Sequence, residues 1–443
     1  MHPDSTAALP ELARRRWYVI VPLLGLAMFM LNLDRTNISL LLAPLAKDLG
    51  LSLSDVGLVS SILFIGSVVF QVPLVLLVQR FGGRWLLGAC LVIWGAASAL
   101  GGLANTEGTL LAARFVVGIG ESAFHPLMYV LLARWFLERE RGRANTRFFV
   151  FSFAASVLTA PVTGFMLEYM TWRWVLIWQG VPAAVLGVLW VLFYNDSPSR
   201  VFWLRRERGV QIEQQLAAER SRNPIAQQVS FRRALLNRRI LALMLIYGMI
   251  GGGGSAIPLW LPTVVRTFSA GNSSLVVGLL SGLPFLVGAI VGTLLGMAAD
   301  RTGRFRALML IPLTIGSLAL LAGPLAAGHA ALQLALLCVV VAGCQSAVPI
   351  FYAFPSWMVA ASVLTVGMGI INMTGTLFAF FATFLVGWVG ELTTPAIGFA
   401  TLGIIAGIGA IVGAVVLRDP PSTRRPAASE PIADVATGTV PTT

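Results

Sequence analysis

The amino-acid sequence predicts an all-α membrane protein with twelve transmembrane helices in two six-helix bundles. Three observations carry this prediction. Of the 443 residues, 57% are apolar and only 11% are charged, whereas a soluble domain has about 25% charged residues. Twelve apolar segments have roughly the 20-residue length that crosses a bilayer as a helix. A polar segment separates the first six of them from the last six.

The apolar segments follow one another with short polar loops between most of them. They lie at 17–40, 55–79, 85–104, 108–134, 144–169, 173–194, 239–266, 275–299, 307–327, 331–354, 362–388 and 395–417. The first is expected to be a membrane helix and not a signal peptide, because it is longer than a signal core and no small-residue cleavage site ends it. The predicted domains are an N-terminus at 1–16, a bundle at 17–194, a linker at 195–237, a bundle at 238–417 and a disordered tail at 418–443.

Loop charge predicts the orientation. Most of the 31 lysine and arginine residues lie in the N-terminus, the even-numbered loops and the C-terminus, and basic loops favour the cytoplasmic side. Both termini are therefore expected on the cytoplasmic side of the cell (inner) membrane. The net charge of +12 is explained by this topology and not by nucleic-acid binding. In the linker, Val210–Arg222 has the pattern of a surface helix, although a solvated linker held by anionic lipid is the favoured interpretation.

The fourth segment carries Arg114, Glu121 and His125 on one helical stripe, since at ~100° per residue Glu121 falls about 20° to one side of Arg114 and His125 about 20° to the other. Asp34 and Arg35 lie in the first segment. Ionisable groups at the centre of a bilayer are costly and mark substrate or proton pathways. Gly118, close to the same stripe, leaves room for a neighbouring helix or a ligand.

The two arginines predict a site for an anion. A guanidinium binds a carboxylate through two hydrogen bonds and stays protonated when it is desolvated. Arg35 and Arg114 are therefore candidate substrate-binding residues. The structural alternative is an ion pair, for instance between Arg114 and Asp34.

The two carboxylates predict a proton switch, because burial favours the protonated form of a carboxylate and a nearby arginine favours the ionised form. Asp34 and Glu121 are the candidate proton-coupling residues; alternatively, Asp34 only holds Arg35 or a helix contact. His125, which can touch Glu121 one turn away, is a candidate for both proton coupling and substrate binding. It could equally cap a backbone carbonyl freed by Pro126.

Other polar and glycine positions are less specific. Asn372 is a candidate substrate contact, with an interhelical hydrogen bond as the usual alternative. The run Gly251–Gly254 permits a gating bend or close helix packing. The sequence has no P-loop of an ATP-driven pump and no clustered residues of an intramembrane enzyme. The three cysteines lack metal or disulfide spacing, so no cofactor and no metal are expected.

Several motifs resemble a known family. Two basic turns occur at equivalent places, one with Gly82 and Arg84, the other with Gly296, Asp300, Arg301, Gly303 and Arg304. The second matches the G-x-x-x-D-R-x-G-R-x-R signature of the major facilitator superfamily. Leu33–Ser39 is similar to the L-D-R-x-N-I-S motif, and Arg114–Glu121 to the R-x3-G-x-x-E motif, of the anion:cation symporters within it. Weaker matches are Trp172–Trp174, Trp260–Thr263 and Asn372 with Gly375.

The resemblance implies the major facilitator fold and uptake of a small organic anion with protons by alternating access. It implies protons carried by Asp34 and Glu121, with sodium open as an alternative cation, and a monomer in the lipid bilayer. The two basic turns would brace the cytoplasmic face.

The chain departs from the family pattern at several places: Asn32, Ser67, Gln79, His125, Gln179 and Phe378–Ala379. These departures predict a cavity not shaped for the sugar acids common in that family. Three other functions stay open: a proton-coupled exporter or antiporter, for which Ala160–Gly164 is a faint signal, an uncoupled facilitator, and a sensor that has lost transport.

Overall fold

The structure is a computed structural model that describes residues 14–222, 235–269, 271–359 and 361–419. Across these ranges the regular structure is helical, without strands. Twelve helices are long and apolar enough to cross a membrane, labelled α1 to α12: Arg15–Leu49, Leu53–Val78, Arg80–Gly101, Glu107–Trp135, Val150–Tyr169, Trp172–Phe193, Arg238–Phe268, Ser274–Thr302, Phe305–Ala326, Ala330–Phe351, Val366–Leu392 and Pro395–Val416. The predicted all-α fold with six helices on each side of the linker is confirmed.

Several helices are longer than the hydropathy of the sequence indicates, or are interrupted. α1 ends at Leu49 and not near residue 40, α5 is part of Glu138–Tyr169, and α11 is part of Ala361–Leu392. The interruptions lie at Gly82 (φ 75°) between α2 and α3, at Ala123 inside α4, and in α7, which consists of Arg238–Tyr247, the π-helical turn Gly248–Gly252 and Gly253–Phe268. Short helices lie at Pro198–Arg200 and Phe354–Met358, and the last turn of α9, Gly323–Ala326, is a 3-10 helix.

Local sequence explains where several helices begin. At the start of α2 the Asp55 N–H donates to Ser52 Oγ (3.2 Å) and the Ser52 N–H donates to Asp55 Oδ2 (2.9 Å). This reciprocal capping box satisfies N–H groups that the first turn of a helix leaves free. Ser273 and Thr394 cap α8 and α12 in the same position.

The predicted domain boundaries differ from the structure at two places. Residues 14–16 already belong to the helix of α1 and not to a separate N-terminal segment. The linker contains a helix, Arg206–Arg222, that starts before Val210. Leu216 on this helix is 4% exposed, and Ile212 packs against the core of the N-terminal half. One face of the helix is therefore packed, whereas Gln211 and Gln214 on it are exposed. Residues 1–13, 223–234 and 420–443 lie outside the described residues, and with them all of the predicted tail at 418–443 except its first two residues.

The two halves meet at the end of the molecule opposite the termini, here called the opposite end; the other is the terminal end. There the Ser54 N–H donates to Glu391 Oε2 and the Leu275 N–H donates to Glu168 Oε1, both at 2.9 Å. A Cβ on Gly278 of α8 would lie 2.4 Å from the carbonyl oxygen of Ala160. Small residues thus bring α5 onto α8 closely enough for backbone contact.

The apolar core is also divided between the opposite end and the terminal end. One cluster joins the C-terminal half to the opposite end of the N-terminal half, for example Leu45 with Trp260. A second cluster, with Trp94 and Trp135, contains residues of the N-terminal half and of the start of the linker, such as Leu204, and lies toward the terminal end. The halves therefore share a core at the opposite end, whereas among the described residues they share none at the terminal end. The space between the halves toward the terminal end is here called the central cleft.

Gly118 fixes the contact between α4 and α2. A Cβ on Gly118 would lie 1.9 Å from the carbonyl oxygen of Leu63, so the space that the sequence suggested for a neighbour or a ligand is taken by a neighbouring helix. We expect Gly118→Ala to lower the free energy of unfolding by about 1–3 kcal/mol, because overpacking forces the helices apart. Thermal unfolding of the purified protein measures the effect. Gly108→Ala on the same helix, where nothing lies within 4 Å, is the matched control, and equal melting temperatures would contradict the assignment.

Candidate functional site

An ion pair between Arg35 and Glu121 joins α1 to α4 at the wall of the cleft. Arg35 Nε lies 2.6 Å from Glu121 Oε2, and the side chains are 28% and 0% exposed. The other oxygen, Oε1, has no hydrogen-bond partner in the described part of the chain. Arg35 is thus the accessible member of the pair, and the Glu121 carboxylate is enclosed behind it.

A second pair, Arg114 with Asp34, lies deeper between the same helices. Arg114 Nη1 is 3.7 Å from Asp34 Oδ2, with the side chains 2% and 3% exposed, and it donates to the Asp34 carbonyl oxygen at 3.4 Å. Ser98 Oγ donates to Asp34 Oδ1 at 2.5 Å. The ion pair offered as the structural alternative is therefore present. Direct substrate binding by Arg114 stays a prediction, and in this structure its guanidinium is enclosed.

His125 lies just after the interruption of α4, half-buried, with its ring at 5.7 Å and edge-on to that of Phe124. It is within electrostatic range of Arg35. Among the described residues no hydrogen bond joins His125 to a backbone carbonyl, so the capping alternative is not observed. Its ring nitrogens are available beside Arg35, and both of its predicted roles stay open.

In the C-terminal half, Asn372 forms a hydrogen bond with Tyr352. Tyr352 Oη donates to Asn372 Oδ1 at 2.8 Å, and Asn372 Nδ2 donates to the carbonyl oxygen of Met368 at 3.0 Å. The hydroxyl groups of Tyr352 and Tyr247 are 2.6 Å apart. The interhelical hydrogen bond weighed for Asn372 is thus present, and it forms one end of a chain that links α11, the end of α10 and α7.

The two halves face each other across the cleft at these residues. Tyr247 is within electrostatic range of Arg35 and Tyr129, and Tyr352 is within range of Tyr129. Tyr129, on α4 one turn after His125, is 52% exposed. The candidate site, here called the cleft site, consists of Arg35, His125, Tyr129, Tyr247, Tyr352 and Asn372. The sequence reasoning missed the three tyrosines, although the chain has only six and these three fall inside or beside apolar spans.

The glycine run in α7 positions Tyr247. A Cβ on Gly252 would lie 2.5 Å from that of Phe378, and one on Gly375 would lie 2.4 Å from Tyr247 Cε1. Gly252 also belongs to the π-helical turn, a distortion frequent at functional sites. Both interpretations of the run therefore apply: close packing of α7 on α11, and a local distortion that starts beside Tyr247.

The first basic turn is organised by Asp196, which the sequence analysis did not single out. Its carboxylate accepts from the N–H groups of Gly83 (2.9 Å) and Arg84 (3.2 Å) and pairs with Arg134. Gly82 makes the turn with φ 75°, a conformation that favours glycine. An acidic residue at the end of the sixth apolar segment, among basic loops, was the available signal.

The second basic turn makes fewer contacts. Gly303 ends α8 with φ 69°, and nothing lies within 4 Å of a Cβ on Gly296. The side chains of Asp300, Arg301 and Arg304 are exposed and, within the described ranges, make no hydrogen bond or ion pair. A bracing role for both turns stays a prediction, in agreement with halves that are separated at this end.

Comparison with known proteins identifies the family to which this fold belongs. The model of the Major Facilitator Superfamily matches residues 24–375. A putative tartrate transporter of Agrobacterium vitis is 27% identical over 416 residues, which cover 92% of each chain. A quinolone resistance transporter of Acinetobacter baumannii is 26% identical, with 92% of this chain and 95% of that one covered. The inward-open structure of the xylose transporter XylE from E. coli superposes with a TM-score of 0.72 at 15% identity, over 91% of this chain and 97% of that one. The chain is therefore a multi-pass membrane transporter that belongs to the Major Facilitator Superfamily.

Proposed function

We propose that this transporter takes up a small organic carboxylate together with protons by alternating access. The observation that carries the proposal is the Arg35–Glu121 pair, in which an exposed guanidinium and an enclosed carboxylate share one contact of 2.6 Å. The names of relatives as tartrate and metabolite transporters support an organic substrate.

The first step is competition for Arg35. A substrate carboxylate in the cleft meets the accessible guanidinium, which forms stronger hydrogen bonds to an ionised partner than to neutral groups. Its arrival draws Arg35 away from Glu121. The resulting substrate–Arg35 pair replaces the internal one, so the number of paired charges in the cleft is unchanged.

The second step is protonation of Glu121. Once Arg35 has turned to the substrate, the carboxylate is left at 0% exposure with no cation in contact. An unpaired ionised carboxylate in such a place costs several kcal/mol, and the group neutralises instead. Substrate binding and proton uptake therefore favour each other, which is the coupling a symporter requires.

The buried pair of Arg114 and Asp34 keeps α1 and α4 in contact during this step. It fixes α1 against α4 through contacts that do not reach the cleft. His125, beside Arg35, is placed to donate to the same substrate carboxylate or to pass the proton. Asp34 remains a candidate second proton carrier, because Ser98 already occupies one of its oxygens and Oδ2 has no hydrogen bond in the described part of the chain.

Alternating access uses the two ends of the molecule. The cleft opens toward the terminal end. The basic loops at this end favour the cytoplasmic side of the inner membrane. The contacts at the opposite end, such as Ser54 with Glu391, would open as the terminal end closes. A monomer suffices for this cycle, because the cleft lies between two halves of one chain.

The test is uptake into proteoliposomes driven by an imposed pH gradient without sodium. One proton carried with one monocarboxylate supports about tenfold accumulation for each pH unit and moves no net charge, so a membrane potential should leave it unchanged. Expulsion of substrate against the proton gradient would establish the runner-up, an exporter or antiporter, which the relationship to a quinolone resistance transporter favours. Equilibration without accumulation would indicate a facilitator, and binding without flux a sensor.

A further inference from the structure

The cleft site combines one accessible guanidinium with a wall of phenol groups. Resting on the proposed function, we infer that its substrate class is an aromatic monocarboxylate with a hydroxyl group on the ring, in preference to a dicarboxylate or a polyhydroxylated acid. The cleft chemistry of this chain thus differs from what the name of its tartrate-transporting relative suggests.

A single cation argues for a single carboxylate. Of the two arginines near the membrane centre, the Arg35 side chain is 28% exposed, whereas that of Arg114 is 2% exposed and paired with Asp34. A second carboxylate in the cleft would have no second guanidinium to pair with. A desolvated charge without a partner costs several kcal/mol. Binding of a dicarboxylate is therefore disfavoured, whereas a monocarboxylate pairs its one charge with Arg35.

The wall opposite Arg35 is aromatic. The ring centroids of Tyr247 and Tyr352 are 5.5 Å apart, and Tyr247 is 5.2 Å from the ring of Phe351. Tyr129 on α4 is within electrostatic range of both tyrosines. Aromatic faces and edges attract a further ring more strongly than they attract a saturated chain, by up to about tenfold in affinity. A planar ring attached to the carboxylate matches this wall.

The hydrogen-bond chain determines whether the end of the substrate remote from Arg35 should donate or accept a hydrogen bond. Tyr352 Oη donates to Asn372, and a phenol has only one proton to donate. The 2.6 Å contact between the two hydroxyl groups must therefore use the proton of Tyr247. Tyr247 Oη then has lone pairs but no free proton, so it accepts a hydrogen bond. The complementary substrate group is a donor, and a ring hydroxyl supplies one.

The experiment measures binding of named probes to the full-length protein by thermal shift and by competition in proteoliposomes. The probes are 4-hydroxybenzoate, benzoate, cyclohexanecarboxylate, tartrate and gluconate. We expect 4-hydroxybenzoate to bind about fivefold more tightly than benzoate through the added hydrogen bond, and benzoate to bind more tightly than cyclohexanecarboxylate. Tartrate and gluconate should bind most weakly.

A variant isolates the hydroxyl contact. Tyr247→Phe should remove the advantage of 4-hydroxybenzoate over benzoate, whereas Tyr18→Phe, at an exposed position near the start of α1, should leave the ratio unaltered. Tartrate or gluconate binding as tightly as 4-hydroxybenzoate, or a ratio that survives Tyr247→Phe, would overturn the inference. If such binding still requires Arg35, the proposed function stands without it. If none of the five probes binds, the inference is refuted, and pH-driven uptake of other small carboxylates then decides the proposed function separately.

Discussion

Proton-driven accumulation is expected to be lost in Glu121→Gln, while exchange of substrate for substrate continues. Glutamine has nearly the shape of a protonated glutamate but cannot release or take up the proton. The Glu121 side chain is enclosed, and among the described residues Arg35 is the one cation in contact with it. The variant therefore holds the cleft in its proton-loaded form. Substrate then enters and leaves without a coupled proton.

Proteoliposomes with an imposed gradient of two pH units measure the effect. The native protein should approach about 100-fold accumulation for one coupled proton, and Glu121→Gln should reach equal concentrations on both sides. Counterflow, measured without a pH gradient, should keep at least about a third of the native rate, since the helices need not repack. Glu107→Gln, in the first turn of the same helix, is the control. Retained accumulation in Glu121→Gln would eliminate this residue as the proton carrier.

The membrane helices were predictable because each one satisfies its own backbone. A bilayer leaves a chain few options besides the helix, so length and apolar composition decide the fold locally. The boundaries were less accurate where contacts with other helices extend a segment, as at the end of α1, where Trp172 Nε1 donates to Asp48 Oδ2 at 3.1 Å.

The sequence identified the charged residues that the structure brings together, but not how they pair. Charge at membrane depth identified Asp34, Arg35, Arg114 and Glu121 as one set. Which arginine meets which carboxylate depends on how α1 rotates against α4, and sequence alone does not determine that rotation. The tyrosines illustrate the same limit, because a phenol in an apolar span is unremarkable until its hydroxyl is seen to bond another one across two helices.

The strongest expected effect on binding is that of Arg35→Ala. Removal of one partner from a hydrogen-bonded charge pair in an interface costs about 2–5 kcal/mol, which is roughly 30-fold or more in Kd for a carboxylate. Arg35→Lys should be intermediate, because it keeps the charge and loses the planar fork that binds both carboxylate oxygens. Equilibrium binding of the carboxylate that the protein transports measures both variants. Arg15→Ala, at an exposed position of the same helix, should leave Kd unchanged.

Arg114 should give the opposite pattern, and the contrast decides between the two arginines. Arg114→Ala leaves Asp34 buried without its cation, and breaking a buried pair destabilises a protein by about 3–5 kcal/mol. Its melting temperature should fall sharply, and the double variant Asp34→Asn with Arg114→Gln should regain part of the loss because no unpaired charge remains. Arg35→Ala alone leaves the enclosed Glu121 without its cation, so the variant that should melt near the native temperature is Arg35→Ala combined with Glu121→Gln, in which no unpaired charge remains. If instead Arg35→Ala binds normally while a folded Arg114 variant does not, the anion site lies at Arg114 and the coupling scheme built on Arg35 and Glu121 is refuted.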